Sequence, residues 1–91
     1  MFELVKIGSP TCNPCVILDE DFEQVEEKFP LIKIRKIDLN DEIIKEYSVE
    51  KIPLLILYNS KQEEESRLQS GDISKVLNWL SIRFIDANDE F

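Results

Sequence analysis

The sequence predicts an α/β protein in which a mixed four-stranded sheet is flanked by helices on both faces. Segments with the period-2 alternation of strands are interleaved with segments whose apolar residues recur every three or four positions, as on helices. The predicted order is β-α-β-α-β-β-α, which joins one β-α-β unit to a terminal hairpin and a last helix. Because crossovers between parallel strands are right-handed, the first two strands should form a parallel pair with the longest helix between them.

The first half of the chain contains the clearest helix. A strand over residues 2–7 is followed by a break at Gly8-Ser9-Pro10. Five apolar residues then recur at helical spacing and share one face of a single long helix, namely Cys15, Leu18, Phe22, Val25 and Phe29. Pro30 ends this helix.

A second strand and a short helix follow. Alternation over residues 31–37 predicts a strand with at least one buried face. Asn40 is typical of a helix N-cap, and Asp41 and Glu42 would complement the dipole in the first turn.

The last three elements form a hairpin and a helix. The continuous apolar run over residues 54–58 predicts a strand covered on both faces, and residues 63–69 predict its polar return strand. Asp72 is the predicted N-cap of the last helix. The apolar face of that helix comprises Ile73, Val76, Leu77, Leu80 and Phe84.

Size and composition predict one soluble domain. The chain has 91 residues, of which 43% are hydrophobic and 33% charged, a balance typical of a globular protein rather than a disordered one. We assign residues 1–85 to the domain and residues 86–91 to an acidic tail that should be frayed.

The charge and the apolar runs argue against nucleic acid and membranes as partners. The net charge is −8, whereas a nucleic-acid binder needs a positive surface. The one basic cluster, Lys33, Arg35 and Lys36, alternates with apolar residues and is interpreted as a solvated strand face. The first residues lack the apolar core of a secretory signal, and the longest uncharged run is too short for a bilayer. We therefore expect a cytoplasmic protein, where a cysteine pair is more often catalytic or metal-binding than structural.

Both cysteines lie in the motif Cys12-Asn13-Pro14-Cys15, where the first strand gives way to the long helix. Cysteines at this spacing at a helix start are close enough to form a disulfide. In the chain-entropy model a loop this short contributes little stability, so the position suits a reversible bond better than a structural one. Metal binding is the weaker alternative, because structural zinc needs four ligands and the chain has two cysteines and no histidine. Two incidental cysteines are the other alternative.

The helix start predicts different roles for the two cysteines. Unpaired N–H groups and the positive end of the dipole lie next to Cys12 and should lower the pKa of its thiol. Cys15 falls on the apolar face and should be less exposed. We expect Cys12 to attack a target disulfide and Cys15 to resolve the mixed disulfide, without a metal or cofactor. Pro14 is tolerated because the first helical turn does not use its missing N–H.

Three features resemble the thioredoxin/glutaredoxin superfamily over about residues 4–80. The segment from Ser9 through Cys15, with Pro10, Thr11, Asn13 and Pro14, is similar to its active-site loop. Ile52-Pro53 resembles its cis-proline element, and Gly71 before the last helix matches a family glycine. The resemblance implies a thioredoxin-like fold and thiol-disulfide oxidoreductase activity. It also implies a substrate site at Ile52, Pro53 and Gly71, in which an extended substrate pairs with the backbone of Ile52.

The chain departs from thioredoxins at several points. It lacks their additional first strand and helix, and it has Thr11 where they usually carry Trp. Lys6 stands where they carry a buried acid. Turned toward the thiols, Lys6 would lower their pKa, but we expect it to point outward because a buried unpaired lysine is costly. Trp79 is interpreted as a packing residue.

We therefore predict a monomeric protein disulfide reductase, recycled by a thioredoxin-type reductase or by glutathione. Protein disulfides are favoured as substrates because glutathione and this chain are both negatively charged, and Leu54 replaces a polar residue near the cis-proline. The alternatives are a glutaredoxin-like protein, a dedicated electron donor to an enzyme such as ribonucleotide reductase, and a thioredoxin-like binding module without turnover.

Overall fold

A computed structural model describes residues 1–40 and 42–84. Its elements are β1 (Glu3–Gly8), α1 (Asn13–Asp21), α2 (Glu23–Lys28), β2 (Lys33–Asp38), a 3₁₀ helix (Glu42–Glu46), β3 (Leu54–Tyr58), β4 (Glu64–Gln69) and α3 (Ile73–Arg83). The predicted acidic tail and the predicted first-turn residue Asp41 lie outside the described residues. Among those described, no helix is long and apolar enough to cross a membrane.

The four strands form one mixed sheet in the order β2-β1-β3-β4. β1 pairs in parallel with β2, and β3 is antiparallel to both β1 and β4. This arrangement confirms the predicted sheet, the parallel first pair and the terminal hairpin. Ile7, near the end of β1, pairs with Ile37 on one side and with Leu54 on the other.

The sheet has an apolar core on each face. Nine buried residues from α1, α2, α3 and the sheet form the larger core, namely Leu4, Leu18, Phe22, Val25, Phe29, Leu55, Leu57, Val76 and Leu80. The opposite face buries Val5, Ile7, Ile37, Leu54 and Ile56. That face is packed by residues of the 3₁₀ helix and the segment after it, including Ile44, Tyr47 and Val49. Helices thus flank both faces, as predicted, and β3 is covered on both.

The predicted long helix is divided in two at Phe22. The amide of Phe22 donates to the carbonyl of Asp19 at 3.3 Å, and the amide of Val25 donates to the carbonyl of Phe22 at 3.0 Å. Both bonds span three residues, as in a 3₁₀ turn, so one tightened turn separates α1 from α2. The prediction of one continuous helix is wrong in this respect, but its apolar face is buried throughout. The predicted short helix is a 3₁₀ helix rather than an α-helix.

The last helix begins at its predicted cap. An Asp72 carboxylate oxygen accepts the amide N–H of Ser74 at 2.9 Å. One turn from the end of α3, Trp79 is partly buried on the larger core and donates its indole N–H to the Ser66 hydroxyl of β4 at 3.0 Å. Trp79 is therefore a packing residue, as predicted.

Replacement of Asp72 by Ala should lower the free energy of unfolding by about 1 kcal/mol, because the first turn of α3 loses its side-chain acceptor. Urea denaturation of the oxidised protein measures this loss. Asp72→Ser is the matched control, since serine also caps helices and should restore most of the stability. Equal stability of the Ala variant and the wild type would contradict the capping role.

Candidate active site

Cys12 is the N-cap of α1 and has extended backbone angles, φ −95° and ψ 107°. Its carbonyl accepts the Val16 amide at 3.1 Å, and its Sγ accepts the Cys15 amide at 3.3 Å. Pro14 stands within the first two helical positions, where no intrahelical donor is required. The sulfur of Cys12 therefore occupies the position of a helix-capping acceptor, where a negative charge is stabilised.

Cys12 and Cys15 form a disulfide, with their Cα atoms 5.2 Å apart. Neither of these two cysteines, the only ones in the chain, is free. Cys15 is only 1% exposed, whereas Cys12 is half-buried. A sulfur of an incoming substrate can therefore reach Cys12 but not Cys15, which is the asymmetry that the predicted roles require.

The loop before the motif is held by Ser9. The Ser9 hydroxyl accepts the amide of Thr11 at 3.3 Å and lies 3.0 Å from the Thr11 hydroxyl. The Ser9 carbonyl accepts the amide of Cys12 at 3.1 Å. Pro10, Thr11, Asn13 and Pro14 are exposed around Cys12. The predicted active-site loop is thus a surface turn fixed from within by local hydrogen bonds.

Gly71 packs directly on the motif. A Cβ added at Gly71 would stand 2.9 Å from the Cβ of Pro14 and 3.4 Å from its carbonyl oxygen. Only glycine permits this approach without displacement of one segment. The structure therefore brings the predicted site residue Gly71 against the cysteine loop, just before α3 begins.

Ile52 and Pro53 lie at the same end of the sheet as the cysteines. The peptide bond between them is cis, Pro53 is buried and Ile52 is half-buried. Because Ile7 pairs with Leu54, the antiparallel register places Pro53 across from Gly8. A Cβ at Gly8 would in turn lie 3.2 Å from the Sγ of Cys15. The two sequence features, about forty residues apart in the chain, thus meet at one edge.

Lys6 does not point outward, contrary to our expectation. It is 3% exposed, and its Nζ donates to the carbonyl of Cys15 at 3.2 Å and to a carboxylate oxygen of Asp19 at 2.7 Å. Lys36 of the adjacent strand lies 3.4 Å from the same carboxylate oxygen. Partial burial works against the ionised carboxyl, but the bonds and charges of Lys6 and Lys36 outweigh it and hold the pKa of Asp19 below its usual range. The expectation failed because it assumed that Lys6 has no partner.

Asp19 is a site residue that the sequence analysis missed. It follows Cys15 by four residues and therefore lies one helical turn above it on the same side of α1. That spacing was the available signal.

A groove of about 320 Å³ opens beside the motif. It lies between α1 and the ends of β1 and β2, and Lys6, Asp19 and Lys36 contribute to its walls. Solvent therefore reaches the charged cluster from one side. In the described part of the chain, no group of three or more His, Cys, Asp and Glu residues is arranged to hold a metal ion.

Comparison with known proteins places this geometry in one family. A sequence model of the family "Thioredoxin" matches residues 2–81. Thioredoxin from Buchnera aphidicola is 33% identical over 78 residues, which cover 82% of this chain and 70% of that protein. Thioredoxin from Rickettsia felis is 26% identical over 82 residues, covering 86% of this chain and 77% of that protein. The solved structure of Fasciola hepatica thioredoxin superposes with a TM-score of 0.78 at 21% identity, covering 88% of this chain and 78% of that one.

Gly71→Ala should lower both stability and the rate of disulfide exchange, because the added methyl group cannot fit against Pro14. Overpacking of this kind costs about 1–3 kcal/mol, which urea denaturation measures. The exchange rate is followed as thiol release from a disulfide reagent. Ser70→Ala is the control, since it removes the hydroxyl that accepts the Asp72 amide without filling this contact. Wild-type stability and rate in Gly71→Ala would show that the contact with Pro14 is unimportant.

Proposed function

This chain belongs to the thioredoxin family and is a dithiol–disulfide oxidoreductase that uses Cys12 and Cys15, and we propose that it reduces disulfides in other proteins. One observation carries the proposal: the pair is asymmetric, with Cys12 accessible at a helix N-cap and Cys15 buried beneath it. Such a site accepts one substrate sulfur at a time. The second cysteine then forms the intramolecular disulfide and releases the substrate.

The reaction needs two displacements. The Cys12 thiolate, supported by the Cys15 amide, attacks one sulfur of the substrate disulfide, and the other substrate sulfur leaves with the bonding electron pair. The Cys15 thiolate then attacks the Sγ of Cys12. The second substrate sulfur leaves as a thiolate, and the Cys12–Cys15 disulfide forms. The substrate gains two electrons and, after protonation from solvent, two thiols, while the protein dithiol is oxidised.

The surface around Cys12 favours a polypeptide substrate. The flanking loop is exposed, and the apolar side chains of Val16 and Ile17 are 38% and 55% exposed on the outer side of α1. A shallow apolar surface suits an extended chain better than a small polar ligand. We propose that such a chain pairs with the backbone of Ile52 beside the cis-proline and passes close to Gly71.

The same proposal includes the partners and the location. Protein disulfides are the substrates, a thioredoxin-type reductase or glutathione restores the dithiol, and the protein acts as a monomer in the cytoplasm. The net charge of −8 supports a second, narrower candidate, a dedicated electron donor to one basic target enzyme.

Insulin reduction in the presence of dithiothreitol tests the main proposal. The wild-type protein should accelerate precipitation of the insulin B chain, and Cys12→Ser should abolish the acceleration because no accessible nucleophile remains. In a separate reaction of the reduced protein with insulin, without dithiothreitol, Cys15→Ser should accumulate a mixed disulfide on Cys12, visible as added mass that reductant removes. A wild-type rate no higher than that of the Cys12→Ser/Cys15→Ser variant would refute the proposal.

Two cystine peptides that differ only in flanking Lys or Glu residues test the role of charge. The Lys peptide should react faster with the reduced protein, by about tenfold at low salt, because the acidic protein attracts it. The difference should shrink as ionic strength rises from about 0.01 M to about 1 M, where the Debye length falls from about 30 Å to about 3 Å. Equal rates for both peptides, or a ratio that salt does not change, would exclude electrostatic steering.

A further inference from the structure

We propose that Lys6 is the residue that makes Cys15 competent to resolve the mixed disulfide, by stabilising the Cys15 thiolate with a buried positive charge. This inference rests on the dithiol chemistry proposed above and assigns a role within it to a residue outside the cysteine motif.

The cysteines have unequal access to stabilising groups. Cys12 caps α1 and is half-buried, so the helix N-terminus and solvent both stabilise its thiolate. Cys15 is 1% exposed and lies on the side of α1 that packs against Gly8 of β1. Burial in apolar surroundings raises the pKa of a thiol, yet the second displacement requires Cys15 as a thiolate. A cation near its sulfur would compensate for the burial.

The ammonium group of Lys6 and the sulfur of Cys15 both lie next to Gly8. A Cβ at Gly8 would lie 3.2 Å from the Sγ of Cys15 and 3.5 Å from the Nζ of Lys6. Both atoms therefore border the small space that the missing side chain of Gly8 leaves open. The bond from Nζ to the carbonyl of Cys15, at 3.2 Å, holds the ammonium at this position.

The groups around Lys6 leave a positive charge available to the sulfur. Asp19 from α1 pairs with Lys6 at 2.7 Å but also with Lys36 from β2 at 3.4 Å. One carboxylate is thus shared by two ammonium groups. From β3, the residue paired with Lys6 is the apolar Leu55. Asp38 also lines the groove, and its carboxylate accepts the amide N–H of Asn40 at 2.8 Å.

The charge of Lys6 changes the rate of the second displacement through the pKa of the Cys15 thiol. Cys15 loses its proton to solvent, its thiolate attacks the Sγ of Cys12, and the substrate sulfur leaves with the electron pair of the broken bond. A lower pKa increases the fraction of Cys15 thiolate at neutral pH but makes each thiolate a weaker nucleophile, with a Brønsted coefficient of about 0.4–0.5. Removal of the charge should therefore change the whole pH–rate profile and not merely its height.

Reaction of the reduced protein with Ellman's reagent separates the two steps in one experiment. Attack by Cys12 releases the first thionitrobenzoate, and attack by Cys15 on the resulting mixed disulfide releases the second. Stopped-flow absorbance records both phases as a function of pH. The variants are Lys6→Met, which keeps the length and apolar stem of the side chain, and Lys6→Gln, which keeps a hydrogen-bond donor without the charge. Lys36→Met is the matched control, because it removes an exposed cation from the same carboxylate.

In both Lys6 variants the pH at the midpoint of the second-phase rate profile should rise by about one unit. This is the lower end of the effect that a nearby opposite charge has on a pKa. The second phase should then be about threefold slower below the midpoint and about threefold faster on the alkaline plateau, so that its profile crosses that of the wild type. Lys36→Met should shift this profile much less, because the cation that it removes is half-exposed and screened by solvent, while the buried charge of Lys6 remains. A folding defect would instead expose both thiols to the reagent and accelerate both phases, whereas loss of the Lys6 charge changes the second phase alone.

Folded Lys6 variants with a wild-type second phase would overturn the inference. So would a wild-type profile in Lys6→Gln alone, since a hydrogen bond would then suffice without charge. Loss of the first phase in the wild-type protein would instead refute the proposed function itself, and the two failures are thereby distinguished.

Discussion

The site depends on the close approach of α1 to the end of β1. Gly8 has no side chain, and this allows Cys15 to pack against the strand with its sulfur beside the position that a Cβ would occupy. The same approach places Cys12 at the N-cap, above the end of the sheet. Since Pro53 directly precedes β3, whose first residue Leu54 pairs with Ile7, strand pairing brings the cis-proline segment to the same edge as Gly8. A second glycine, Gly71, lets the loop before α3 close against Pro14.

The same interface buries a charge, which is unusual for so small a core. Lys6 shares a face of β1 with Leu4, on the side covered by the helices, and its ammonium is nearly excluded from solvent. Burial of an ion pair is weak evidence for stability, because desolvation can exceed the Coulombic gain. Asp19 limits that cost here, since its carboxylate is 44% exposed and still reaches Nζ. The pair is better explained by its position next to Cys15 than by a contribution to folding.

Much of the fold could be predicted because it depends on local patterns. The apolar periodicity from Cys15 to Phe29 and the apolar run of β3 report burial directly, and Asp72 signals the start of α3. No proline or glycine between Cys15 and Phe29 marks the position of the tightened turn at Phe22. The site was only partly predictable, because some of its contacts depend on tertiary packing rather than on a local sequence pattern. Cys12 and Cys15 are visible as a motif, whereas the burial of Lys6 depends on a partner, Asp19, that only the packing of α1 on β1 brings within reach.

The most direct test of the account is the midpoint potential of the Cys12–Cys15 pair, measured by equilibration with defined ratios of reduced and oxidised glutathione or dithiothreitol. A protein disulfide reductase should show one reversible two-electron transition, with a midpoint below the cytosolic glutathione poise of about −220 to −260 mV. A midpoint of about −120 mV, the value of a strong protein oxidant, would contradict the proposed reductase activity. A disulfide that cannot be reduced until the protein unfolds would contradict redox activity altogether.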